Sequence, residues 1–284
     1  MSAHLIDGKR LAKEIRDRLG LDVKAFETRT GVRPGLAVVL VGDDPASAVY
    51  VRNKKKACDT AGLSVVDHHV PSDTTQAGLL DLIHRLNTDA AVHGILVQLP
   101  LPSHIDSRAV LQAVSPDKDV DGFHPYNVGR LVEGAAEFVP CTPSGVIRMI
   151  ESTGEAIQGK HAVVVGRSNI VGKPVAMLLM HRHATVTICH SRTTDLPAVC
   201  RGADILVAAI GKPQFITGDM VKDGAIVIDV GINRLDDGRL VGDVHGEQVR
   251  ARAGWLSPVP GGVGPMTIAM LLVNTLEGAR RAVA

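Results

Sequence analysis

The chain has 284 residues, 45% of them hydrophobic and 21% charged, with a formal net charge of +1. That is the make-up of a globular protein of one large or two ordinary domains, and the near-neutral charge removes any general attraction to nucleic acid or to an anionic membrane. Aromatic residues at 2% argue against a base-stacking platform, no apolar run approaches the ~20 residues of a membrane span, and no signal peptide is visible, so a cytoplasmic protein is expected.

Leu11, Ile15, Leu19, Val23 and Phe26 recur at helical spacing and predict an amphipathic helix over 9–28. After the Pro34-Gly35 turn, the continuous apolar run 36–41 reads as a strand buried on both faces. Asp44 then suits an N-cap and Pro45 the first helical position, so a helix begins there and Gly62 ends it. Tyr50 and Lys54 lie one turn apart on that helix, and one face therefore carries a flat ring and an amine. Such a pair can hold a flat ligand and do proton chemistry on it; it can equally be a tyrosine packed on a lysine stem.

A strand over 63–70, a helix over 74–87 and a strand over 94–99 complete a β-α-β-α-β series, the pattern of a parallel sheet with right-handed crossovers. In open α/β sheets ligands sit beyond the carboxyl ends of strands. The Tyr50/Lys54 helix starts at one such end and Gln98 lies at another, as a polar residue in an apolar strand that needs hydrogen-bond partners. Pro100 stops this strand and leaves the Leu99-Pro100 bond open to either isomer. A short helix over 107–114 leads to the acidic loop 116–122, whose aspartates lack the EF-hand glycine and terminal glutamate. The loop is either solvated or offers a carboxylate to N–H groups of a ligand.

Pro140-Cys141-Thr142-Pro143 marks a boundary, with Thr142 as cap and Pro143 as opener of a helix to about 151. A second α/β series follows, with strands at 161–165, 185–189, 204–208 and 225–230, helices at 174–181 and near 197–201, a turn closed by 238–243, and a final helix over 266–280. Between the first of these strands and its helix stands Gly166-Arg167-Ser168-Asn169-Ile170-Val171-Gly172-Lys173-Pro174, a glycine loop in the context of a phosphate-binding turn. It departs from G-x-G-x-x-G at Ser168 and by one extra residue. It fails as a Walker A motif, because Pro174 stands where the magnesium-binding Ser/Thr belongs. The next strand ends in Cys189-His190-Ser191-Arg192, without the acid that NAD sites place there; Arg167, Ser191 and Arg192 suit the 2′-phosphate of NADP and favour it over NAD.

The four cysteines, Cys58, Cys141, Cys189 and Cys200, contain no C-x-x-C and read as buried free thiols. His68-His69 and His181-x-His183 lack a third ligand, so no metal is expected.

Several segments stand in one order: Tyr50-Val51-Arg52-Asn53-Lys54, the run 94–102, Lys118-Asp119-Val120-Asp121-Gly122, Pro140-Cys141-Thr142-Pro143, Gly166-Arg167-Ser168, Asp229-Val230-Gly231-Ile232-Asn233, and the run 258–267. Over essentially its whole length the chain resembles the bifunctional methylenetetrahydrofolate dehydrogenase/methenyltetrahydrofolate cyclohydrolase family. The resemblance implies two α/β domains bridged by long helices: a parallel-sheet catalytic domain over 1–140, completed by the C-terminal helix 265–284, and a Rossmann-like NADP-binding domain over 141–264. It implies oxidation of 5,10-methylenetetrahydrofolate by NADP, then hydrolysis to 10-formyltetrahydrofolate in the same cleft. By motif, Lys54 is the catalytic lysine, Tyr50 stacks on the folate, Gln98 bonds Lys54 and Asp121 holds the pterin. Val97, Leu99 and Pro260, Gly261, Gly262, Val263 and Gly264 line the folate site, and Gly166, Arg167, Ser168, Ser191 and Ile232 contact NADP, with Arg192 as an added cation. The resemblance also implies a homodimer formed through the nucleotide domain. The rival readings are an NADP dehydrogenase of another small polar acid and a non-catalytic NADP-binding regulatory module.

Overall fold

The computed structural model describes residues 2–284. The chain runs through β1 (His4–Leu5), α1 (Gly8–Thr30), β2 (Gly35–Val41), α2 (Pro45–Ala61), β3 (Ser64–Val70), α3 (Gln76–Thr88), β4 (Gly94–Val97), α4 (Ser107–Ala113), α5 (Pro125–Val132) and α6 (Cys141–Glu151). It continues through β5 (His161–Val165), α7 (Gly172–Met180), β6 (Thr185–Cys189), α8 (Leu196–Arg201), β7 (Ile205–Ala208), β8 (Ile226–Asp229), β9 (Asn233–Arg234), β10 (Leu240–Val241), α9 (Gly246–Arg250), β11 (Trp255–Leu256) and α10 (Val263–Ala282). Two α/β units result. One comprises Lys13–Cys141 with Ile268–Ala284; the other comprises the N-terminal residues through Ala12 with Thr142–Thr267. Among the described residues no helix is long and apolar enough to cross a membrane.

The first unit is built on a parallel sheet of order β3-β2-β4. Every residue of β2 is buried, and its side chains divide by the period of two. Leu36, Val38 and Leu40 pack with Leu19, Val23 and Phe26 of α1, Val51 and Cys58 of α2, and Leu271 and Leu272 of α10. Ala37, Val39 and Val41 pack on the other face with Leu79, Ile83 and Leu86 of α3 and Val110 of α4. Helices cover both faces, which is why the strand reads as an unbroken apolar run. Helix α2 starts as its sequence requires: Asp44 Oδ2 accepts from Ser47 N at 2.7 Å and Pro45 occupies the first turn.

The second unit holds a parallel sheet of order β1-β11-β8-β7-β5-β6, with β9 and β10 as a separate antiparallel hairpin. Its core gathers Val163, Val165, Leu206, Ala208 and Val227. Here the structure differs from the sequence expectation. Residues 1–140 were expected to lie together, yet β1 pairs with β11, His4 opposite Trp255 and Leu5 opposite Leu256. Two-residue strands carry no readable period, and their partner lies at the far end of the chain. Strand β4 also stops at Val97, so Gln98 and Leu99 stand just beyond it. Helix α6 opens at Cys141 instead of Pro143, and the hydroxyl of Thr142 bonds that of Thr267 at 2.9 Å instead of capping. Helix α5, capped by His124 Nδ1 accepting from Tyr126 N at 3.1 Å, was not expected at all.

Candidate active site

Helix α2 carries Tyr50 and Lys54 at the carboxyl end of the small sheet, and β4 delivers Gln98 to the same rim. Lys54 is buried at 9% exposure, and its Nζ donates to Gln98 Oε1 at 3.0 Å. The other end of the amide is committed, since Gln98 Nε2 donates to the carbonyl of Leu99 at 2.6 Å. That bond fixes which atom of Gln98 faces the amine. Tyr50 is 37% exposed, and loss of water raises its phenol above the ordinary value. Lys56 is exposed and Lys55 is held by Asp67 at 2.5 Å, so the following lysines form a surface.

The two aspartates of the acidic loop at 119 and 121 differ in their partners. Asp119 is 4% exposed and serves the fold: Oδ1 accepts from Phe123 N at 3.1 Å, and Oδ2 from His124 N and Asn127 Nδ2, both at 2.8 Å. Asp121 is half-buried, and among the described residues no donor bonds its carboxyl. Burial pushes it up to about 6, with the charge of Lys54 opposing and that of Asp119 adding. The peptide before Asp121 is clamped, because the Val120 carbonyl accepts from Asn274 Nδ2 at 2.8 Å and from the Cys141 thiol at 3.2 Å. Asn274, which also bonds the Val139 carbonyl at 2.9 Å, was missed from sequence. It carries the same signal that marked Gln98, a polar residue inside an apolar stripe.

A pH dependence follows from Asp121. Above about 6 the carboxylate is ionised and can accept N–H bonds; below that it is protonated and accepts them weakly. The KM for a ligand bound through N–H groups is expected to rise as pH falls from 7 to 5, and Asp121→Asn is expected to flatten the profile while raising KM at pH 7. Steady-state KM profiles of both proteins check this; an unchanged wild-type slope in the variant assigns the titration elsewhere.

The other positions expected at the folate site differ in burial. Val97 is 3% exposed and packs in the core with Val39 and Ile95. Leu99 is half-buried ahead of a cis Leu99-Pro100 bond. In the second unit, Pro260 is exposed after a cis Val259-Pro260 bond, Gly261 is half-buried, Gly262 is buried, and Val263 and Gly264 begin α10.

The glycine turn follows β5. Gly166 has φ +128° and its N–H bonds the Cys189 carbonyl at 2.9 Å. A Cβ there would stand 2.1 Å from the Ala209 carbonyl oxygen, so only glycine lets the turn close against the next loop. Ser168 Oγ accepts from Val171 N at 3.1 Å and Gly172 N at 3.3 Å, which ties the turn to the start of α7. Arg167, Ser168, Ser191, Arg192 and Ile232 are all exposed, beyond the carboxyl ends of β5, β6 and β8. Among the described residues no carboxylate pairs with Arg167 or Arg192. A glycine turn leading into a helix, free guanidinium groups and no acid at the end of β6 together fit a dinucleotide that carries a 2′-phosphate. A depression of about 510 Å³ opens instead at the amino ends of the strands, lined by His4, Lys160, Asp204, Lys222 and Trp255. It holds none of these residues, and size alone does not identify a site.

Comparison with known proteins follows this division. A family model described as the tetrahydrofolate dehydrogenase/cyclohydrolase catalytic domain matches residues 6–121, and one described as that family's NAD(P)-binding domain matches residues 140–283. The Bifunctional protein FolD of Moorella thermoacetica is 61% identical over 281 residues, covering 99% of this chain and 100% of its own. The crystal structure of the bifunctional FolD enzyme of Campylobacter jejuni superposes with a TM-score of 0.95 at 48% identity, over 99% of both chains. That of Trypanosoma brucei FolD, complexed with NADP cofactor and inhibitor, gives 0.96 at 44% identity, over 100% of this chain and 99% of that one. With both halves matched, in order and over nearly every residue, the chain belongs to the tetrahydrofolate dehydrogenase/cyclohydrolase family.

Proposed function

We propose that this enzyme oxidises 5,10-methylenetetrahydrofolate to the 5,10-methenyl cation with NADP, then hydrolyses the cation to 10-formyltetrahydrofolate, with Lys54 moving the proton of the second step. The observation that carries the reading is the 3.0 Å bond from buried Lys54 Nζ to the neutral amide oxygen of Gln98, beside the donor-free carboxyl of Asp121.

Bound NADP accepts the hydride. Hydride loss from the one-carbon bridge needs no protein acid or base, only a folate held in place. Asp121 accepts N–H bonds from the pterin, and Tyr50 lays its ring against it. Gly166, Arg167, Ser168, Ser191, Arg192 and Ile232 hold the cofactor, the two guanidinium groups answering its 2′-phosphate. In the second step water adds to the methenyl carbon. Lys54 Nζ takes the proton that water loses and returns it to N5 as the C–N5 bond breaks. The hydroxyl proton released as the formyl carbonyl forms goes to solvent, which accounts for the one proton the hydrolysis liberates. Gln98 accepts a hydrogen bond from amine and ammonium alike, so it orients Lys54 through both states without pinning either.

The test is a spectrophotometric assay with 5,10-methylenetetrahydrofolate and either NADP or NAD. NADPH formation followed by methenyl decay faster than the buffer blank is expected. Reduction without accelerated decay would remove the role given to Lys54, and NADP binding with neither reaction would favour the regulatory module. The same reading makes the enzyme a cytoplasmic homodimer assembled through the nucleotide unit. There β6 is an edge strand of the sheet, with Ile188 exposed, and its free edge can be extended by a second copy. Sedimentation velocity measures that mass.

A further inference from the structure

Two buried carboxyl groups stand outside the chemistry described so far. Asp229, the last residue of β8, is 3% exposed, and Asp243 is wholly buried. Among the described residues neither pairs with a lysine or arginine side chain; both are surrounded by N–H donors. Asp243 Oδ2 accepts from Ile210 N at 2.7 Å and Gly211 N at 3.0 Å, while Oδ1 accepts from Lys212 N at 2.9 Å and Asn233 Nδ2 at 3.0 Å. Asp229 Oδ1 accepts from Gly231 N at 3.0 Å and Asp243 N at 2.9 Å, and Oδ2 from Val244 N at 3.0 Å. The backbone is shaped to admit them. A Cβ at Gly231 would lie 2.2 Å from Asp243 Oδ1, and one at Gly242 would lie 1.7 Å from Asp229 Oδ2.

The location gives this arrangement meaning. Residues 209–212 and 230–233 are the turns that leave the carboxyl ends of β7 and β8, the rim where an open α/β sheet binds its ligand. N–H groups past a strand end have lost their ladder partners, and here carboxylates satisfy them. The 209–212 turn is also the one against which Gly166 closes, through the Ala209 carbonyl. Ile232 sits 45% exposed between Gly231, bonded to Asp229, and Asn233, bonded to Asp243. With the pyrophosphate at the turn after β5 and the adenosine ribose at the end of β6, the nicotinamide falls to the β7–β8 side of the sheet. Burying two acids is costly: Asp229 is pushed up to about 7, mainly by loss of water, with the charge of Asp243 adding. An apolar pair of the same size could fill the space but could not bond these turns.

We propose that Asp243 and Asp229 are positioning residues for hydride transfer, holding the 210–212 and 231–233 turns so that Ile232 sets the nicotinamide ring of bound NADP. This rests on the dehydrogenase reading above, and it assigns the pair no part in hydrolysis of the methenyl group.

The experiment compares wild type, Asp243→Asn and Asn233→Ala. It measures dehydrogenase kcat, the kinetic isotope effect with substrate deuterated at the one-carbon bridge, methenyl hydrolysis without nucleotide, and the fluorescence of bound NADPH. A ring displaced by about 1 Å costs on the order of 10²-fold in transfer. The expected result for Asp243→Asn is a ~10–100-fold loss of kcat, a raised isotope effect, a lost emission change of bound NADPH and intact hydrolysis. Asn233→Ala, which leaves both carboxyl groups in place, is expected to move the same readouts less, and it decides the matter if Asp243→Asn does not fold. Parallel loss of both activities, or a slowed dehydrogenase with an unchanged isotope effect and unchanged NADPH emission, would overturn the proposal. Failure of the wild type itself to reduce NADP would instead reject the dehydrogenase reading.

Discussion

Lys54→Ala is expected to bring methenyl hydrolysis close to the buffer rate, a loss on the order of 10³-fold, while hydride transfer remains measurable. The split follows from the chemistry of the two steps. Attack of water on the methenyl carbon creates a proton that must be taken and later returned to N5, and the proposed mechanism assigns both transfers to Lys54, buried and bonded to Gln98. Hydride transfer moves no proton to the protein, so it loses only what the amine contributes to holding the folate. A second substitution sharpens the test. Gln98→Glu would set a carboxylate in place of the neutral oxygen that meets the amine at 3.0 Å and turn that contact into a charge-assisted pair. It is expected to lose hydrolysis to a similar degree while retaining the dehydrogenase. Single-turnover decay of methenyltetrahydrofolate and steady-state NADPH formation measure the two steps separately. Equal loss of both in Lys54→Ala, with folate affinity unchanged, would show that this division of labour is wrong.

How far the sequence revealed this depends on the range of the interaction concerned. Helix α2 was legible to its cap because Asp44, Pro45 and Gly62 signal through their own neighbours. Strand β2 was legible because coverage on both faces leaves an unbroken apolar run. Strands β1 and β11 were not, since each is two residues long and each partner is chosen by tertiary packing. Helix α5 hid behind a histidine cap that lies outside the usual set. In the site, Gln98 drew attention as a polar residue among apolar ones, but its bond to Lys54 spans 44 positions and no spacing rule reaches that far. The acidic loop offered Asp119 and Asp121 as equals. Only the donors around Asp119 show that one carboxylate is spent on the fold, whereas none among the described residues bonds the carboxyl of Asp121. Asp229 stood in a visible motif, yet its meaning depends on Asp243 and on the turn after β7, which sequence leaves far apart.

Arg167→Ala is expected to raise the KM for NADP by ~10–100-fold, the loss of one charge-assisted bond to phosphate of about 1.5–3 kcal/mol, while changing the KM for NAD by less than about threefold. Arg167 and Arg192 are exposed beyond the ends of neighbouring strands β5 and β6, no carboxylate among the described residues neutralises them, and β6 is followed by a serine and an arginine where an NAD site would carry an acid. A dianionic 2′-phosphate answers that arrangement and a bare ribose hydroxyl does not. Because the contact is exposed, the preference for NADP is expected to shrink with added salt, as the Debye length falls from about 10 Å at 0.1 M to about 3 Å at 1 M. Arg192→Ala tests whether the second cation shares the load: if both guanidinium groups meet the phosphate, the double variant loses more NADP discrimination than either single one. Steady-state KM values for NADP and NAD at two ionic strengths measure all of this. Equal increases for the two nucleotides would remove the 2′-phosphate from the role of Arg167 and leave it a contact to the shared part of the cofactor.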